Sequence, residues 1–92
     1  MYYLLQYDVV DDYTERRAPH REEHLELARE AHGRGELVLA GAFASPADGA
    51  ALVFKAHDIS VVERFAANDP YVKAGVVTRW KAREWAVVVG GE

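Results

Sequence analysis

The chain has no cysteine among its 92 residues and only three prolines. Without thiols there can be no disulfide, no zinc-thiolate centre and no cysteine nucleophile. Basic residues are in the minority, eleven Lys and Arg against fifteen Asp and Glu, for a net charge of −4. They are spread along the chain and interleaved with acids, so the basic face that phosphate neutralisation needs is missing and nucleic acid is not an expected partner. No apolar run approaches the roughly 20 residues that span a bilayer. The opening MYYLLQYDVV lacks the basic start and the small-residue cleavage site of a secretory signal. The expectation is a soluble, cytoplasmic protein with no membrane partner. Glycine-rich phosphate loops and dinucleotide fingerprints are also missing, so no cofactor is expected. With no repeat, linker or low-complexity tract, residues 1–92 read as a single domain.

What is present is patterned. Residues 2–10, YYLLQYDVV, are aromatic and β-branched and read as a mostly buried strand. A polar loop, DDYTERRAP, follows, and Pro19 suits a helix first turn. The helix beyond it carries Glu22, Glu23 and Glu26 early and Arg29 and Arg34 late, as the helix dipole favours, with Gly33 and Gly35 as its stop. Leu25, Ala28 and His32 recur at helical spacing, with Leu27 and Ala31 beside them. Residues 36–44 and 50–56 are strands around the turn SPADG, hence a β-hairpin. DISVVERFAAND is a short helix capped by Asp58 or Ser60, with Val61, Val62, Phe65 and Ala66 on its apolar face. Residues 74–89 read as one long strand or two.

The order β-α-β-β-α-β predicts an α+β, ferredoxin-like fold: a four-stranded antiparallel sheet with both helices on one face. A sheet apolar on both faces must bury the second one, most simply against a copy of itself. The expectation is therefore a homodimer, or a higher oligomer built from it, in which two sheets close into an α+β barrel.

Asn68-Asp69-Pro70 poses a question. A helix C-terminus carries partial negative charge, so a carboxylate there costs up to about 1 kcal/mol. Chain termination by the residue before proline would account for the proline alone. The other reading is that Pro70 holds the backbone still so that Asp69 can point at something. Of the four histidines, His20 and His24 share a helix face, but the segment between them is not a metalloprotease pattern and the metal signal is weak. His32 suits a helix end, and His57 reads as a solvated turn residue. His24 can face the sheet, as a half-buried histidine satisfied by a carbonyl or as a base. A base needs an acceptor on its second ring nitrogen. Asp8, Asp69, Asp11 and Asp12 are the candidates, and Asp69 has the best-fixed backbone. Ser45, Asp48 and Gly49 read as turn chemistry rather than as a nucleophile or anion nest.

Arg21-Glu22-Glu23-His24-Leu25, then Gly35, LAGAF at 39–43, NDPYVKAGVV at 68–77 and REW at 83–85 resemble the YciI-like, or YCII-related, family of small dimeric α+β barrel proteins. The likeness runs along essentially the whole chain without insertions. It departs from the family where Glu84 stands before Trp85 in place of a proline. The resemblance implies that His24 and Asp69 form a catalytic pair, with His24 as acid/base and Asp69 as its orienter. Around them Arg21, Tyr71 and Tyr7 are candidate substrate contacts, with duller roles as solvated helix residue, helix-end cap, and core or dimer-surface residue respectively. No metal ligand is assigned. The function this suggests is an enzyme that moves protons, isomerises or eliminates halide on a small organic ring. A non-catalytic ligand-binding or accessory module is the alternative. A cofactor-free monooxygenase of the same barrel type would need a different set of polar residues.

Overall fold

The computed structural model describes residues 1–91. Four strands, β1 (Tyr2–Val9), β2 (Leu37–Ala42), β3 (Gly49–Lys55) and β4 (Val77–Trp85), form one antiparallel sheet in the order β2-β3-β1-β4. Two longer helices, α2 (Arg21–Gly33) and α3 (Ser60–Asn68), occupy the two crossovers. This is the ferredoxin-like arrangement that the element order predicts.

The registers explain which side chains meet the helices. Tyr3, Leu5 and Tyr7 of β1 lie opposite Phe54, Leu52 and Ala50 of β3, and all six are buried. Alternation puts one residue of every two on that face. Val62, Phe65 and Ala66 of α3 pack onto it, with Phe54 and Phe65 rings edge to face at 5.2 Å. α2 is a more polar helix and buries only Ala31 fully, with Leu27 and Ala28 packed beside the core. In β2 the register slips between Leu37 and Leu39, so Leu37 is buried with the core while Leu39 turns outward. From Val38 to Ala42 this edge strand is exposed.

Several expectations need correction. The polar loop after β1 contains a helical turn, α1 (Tyr13–Arg16), and a 3-10 turn at Ala18–His20. Pro19 belongs to that turn, and α2 starts at Arg21. The segment after α3 is a further short helix, α4 (Pro70–Lys73). The last strand stops at Trp85, where alternation gives way to the run Ala86 to Val89. The face opposite the helices is not uniformly apolar. It carries Leu4, Val53, Leu39 and Trp85, but β4 contributes Arg79, Lys81 and Arg83 to it. Among the described residues no helix is long and apolar enough to cross a membrane.

Candidate functional site

Asp69 does not end one helix so much as begin the next. Its backbone is extended between α3 and α4, with ψ of 122°. Its carboxylate accepts the Tyr71 backbone N–H at 3.0 Å, which is N-capping of α4 with Pro70 at the first helical position. The expected penalty of an acid at a helix end is thus offset by a favourable cap. Aspartate is among the preferred residues for that place.

The same carboxylate is fully buried and takes two more donors. The Tyr7 hydroxyl donates to Oδ2 at 2.7 Å, and His24 Nδ1 lies 2.9 Å from Oδ1. A buried carboxylate is costly unless its lone pairs are used, and here three donors from β1, α2 and α4 converge on it. Burial first, then the Asp69 charge and hydrogen bond, push the Tyr7 phenol well above its usual range, so it stays protonated and donates. Because Oδ1 is an acceptor, His24 Nδ1 carries hydrogen, and a neutral ring then has its lone pair on Nε2. Among the described residues nothing hydrogen-bonds to Nε2.

The His24 ring is held by more than one bond. It stacks on Tyr71, with centroids 3.9 Å apart and planes 9° from parallel. Tyr13 meets Tyr71 edge-on at 6.1 Å, and the Arg17 guanidinium lies 4.8 Å above the Tyr13 ring. Burial and the neighbouring Tyr13 raise the Tyr71 phenol, while Arg17 and Arg21 pull it the other way. Among the described residues, the Tyr71 hydroxyl is the one buried side-chain polar atom without a hydrogen-bond partner. Such an orphan costs on the order of 1–3 kcal/mol.

Together these residues wall a cavity of about 310 Å³ between α2 and the exposed end of β2. His24, Tyr7, Tyr71, Arg17 and Arg21 line one side of it, and Ala40, Gly41 and Ala42 leave room on the other. Its size falls at the lower end of small-ligand sites, roughly 300–1,000 Å³. The His24 side chain is 15% exposed, against none for Asp69, so the imidazole reaches the cavity wall and the carboxylate behind it does not.

The model of the YCII-related domain matches residues 1–86. The chain belongs to the YCII-related family. No curated protein matches it. Among solved structures, this YCII-related chain is similar to 5-chloro-2-hydroxyhydroquinone dehydrochlorinase from Burkholderia phenoliruptrix AC1100, held in complex with 2,5-dihydroxybenzoquinone. The TM-score is 0.78 at 19% identity, over 92% of this chain and 93% of that one. It is also similar to a NIPSNAP domain protein from Burkholderia xenovorans, with TM-score 0.58 and 12% identity over 99% and 98% of the two chains. At these identities the likeness is one of fold.

All five residues singled out from the sequence of this YCII-related protein meet in one place: His24, Tyr7, Tyr71 and Arg21 at the cavity, Asp69 directly behind His24. The other acids go elsewhere. Asp8 is exposed and pairs with Arg79, 3.4 Å away, and Asp11 and Asp12 are exposed. His32 Nδ1 donates to the Leu37 carbonyl at 2.8 Å, tying the end of α2 to β2, and His57 is exposed. No group of three potential metal ligands occurs among the described residues. Sequence reasoning missed Tyr13 and Arg17, because the segment holding them reads as loop. The Tyr-x-x-x-Arg spacing was the available signal, since residues four apart share a face once the segment coils.

Proposed function

We propose that this YCII-related protein is a small-molecule enzyme in which His24 is the general acid/base and Asp69 holds it in the working tautomer. The observation that carries this reading is the 2.9 Å contact between His24 Nδ1 and the fully buried Asp69, at the wall of a cavity. Asp69 has no route to the cavity, so it orients rather than reacts. Nε2 is left to take a proton from a bound ring and return it at another atom, which is isomerisation. In an elimination the C–H pair forms the new double bond and halide leaves with the C–X pair, while Nε2 keeps the proton. The dehydrochlorinase of the same fold lends elimination from a hydroxylated ring some weight. Arg21, Tyr71 and the Tyr7 ring complete the site as substrate contacts, while the Tyr7 hydroxyl donates to Asp69.

We propose further that residues 1–92 act as one domain in the cytoplasm and as a homodimer, two sheets meeting through Leu4, Leu39, Val53 and Trp85. Half-exposed Trp85 and largely exposed Leu39 support that surface. The charged row on β4 would lie at its margin.

The test is a panel of hydroxylated and halogenated quinones and hydroquinones, followed by ultraviolet absorbance and halide release, with protein and with His24→Gln. Turnover that disappears in the variant supports the reading. Chemistry that survives in His24→Gln, or tight binding with no turnover across the panel, would sink it in favour of a ligand-binding module.

A further inference from the structure

The chain carries fifteen Asp and Glu against eleven Lys and Arg, yet the cavity reverses that balance. Its charged lining is Arg17 and Arg21, and among the described residues no acidic side chain lines it. Asp69 stands behind His24, fully buried, and its charge is taken up by Tyr7, the Tyr71 N–H and His24. A cavity lined by cations, with low-dielectric walls of Leu25, Leu52 and small alanines, concentrates anions.

A second observation points the same way. Tyr71 lines the cavity at 2% exposure, and its hydroxyl is buried without a partner. Buried donors are nearly always paired, so one without a partner, on a residue that lines a cavity, points to a missing acceptor there. The phenol stays protonated, which makes it a donor, and both arginines act on it electrostatically. Its ring is fixed between His24 and Tyr13, so the hydroxyl cannot swing away to find another partner.

We propose that the cavity selects a small planar anion, a carboxylate or an ionised ring hydroxyl, whose charged oxygen accepts from the Tyr71 hydroxyl in the field of Arg17 and Arg21. This deepens the enzymatic reading by naming the charge state of the substrate, and it rests on the same site. A flat ring suits the face of the stacked His24 and Tyr71 pair, and a negative oxygen suits the arginines.

Benzoate and benzamide separate charge from shape, because they share a ring and a planar head group. Isothermal titration of the intact protein with each, at low and high salt, reads the preference. A hydrogen bond to a charged group, with its field, corresponds to about tenfold or more in favour of benzoate at low salt. That preference shrinks as salt screens the arginines. Tyr71→Phe, which keeps the stacked ring, and Arg17→Gln, at a half-buried position, each weaken benzoate more than benzamide, whose neutral carbonyl makes the weaker bond. Equal binding of the two ligands, or benzoate affinity untouched by Tyr71→Phe, overturns the proposal. His24→Gln distinguishes this from failure of the enzymatic reading. Benzoate preference that persists in that variant while no ring substrate is turned over leaves anion selection standing and removes catalysis. Turnover of neutral rings without any benzoate preference does the reverse.

Discussion

Tyr7→Phe is the most economical perturbation of the buried cluster, since it removes one oxygen and leaves the ring in the core. In the parent protein that oxygen donates at 2.7 Å to a carboxylate with no exposure. A hydrogen bond to a buried charge contributes about 1.5–3 kcal/mol. Asp69 keeps its other two donors, so the loss should stay within that range. For a domain of this size it corresponds to a fall in Tm on the order of 10 °C. Urea denaturation followed by tryptophan fluorescence reads it directly. The pH dependence gives a second check. The Tyr7 phenol is raised in the folded state above its ordinary value of 10.0, by burial first and then by Asp69. The folded protein therefore holds that proton more tightly than the unfolded chain. The resulting stability is fully present below about pH 10 and is lost as pH rises above it. Phenylalanine has no proton to lose, so the gap between parent and variant should narrow in alkali. A variant as stable as the parent at pH 7, or a gap that stays constant to pH 11, refutes the description of Tyr7 as a donor to buried Asp69.

Four further outcomes follow from the same geometry. Asp69→Asn can keep its bond to His24 and reverse its bond with Tyr7, so it should stay folded but lose about 100-fold or more in turnover of any substrate the panel yields; retention of activity within threefold would remove the orienting role. Long-range proton–nitrogen NMR should find the neutral His24 ring protonated on Nδ1, and a proton on Nε2 would contradict the assignment. Gly75 sits at φ of 77°, and although nothing crowds the position, an alanine there is strained by its backbone, so Gly75→Ala should cost about 1 kcal/mol in denaturation. On the open face, Leu39→Glu together with Val53→Glu should yield a monomer by sedimentation with an unchanged far-ultraviolet circular dichroism spectrum, whereas an assembly unaffected by both would place the interface elsewhere.

Much of this protein was determined by sequence alone. The alternation in Tyr3, Leu5 and Tyr7, the glycines at the end of α2 and the apolar run in α3 fix the element types and their order. Two crossovers and a hairpin then leave few topologies, because such connections are right-handed. Local chemistry also made Asp69-Pro70 stand out, and the family motifs paired it with His24. Tertiary structure decided what spacing cannot express. That Asp69 caps α4 rather than merely ending α3 depends on a four-residue helix too short to show a period. That Tyr7, 62 residues away, donates to it depends on how β1 lies under the helices. Tyr13 and Arg17 became part of the site only when a polar loop coiled against Tyr71. The charge of the cavity is likewise a three-dimensional fact. An acidic chain can build a cationic pocket because Coulomb energy follows distance and burial, and composition records neither.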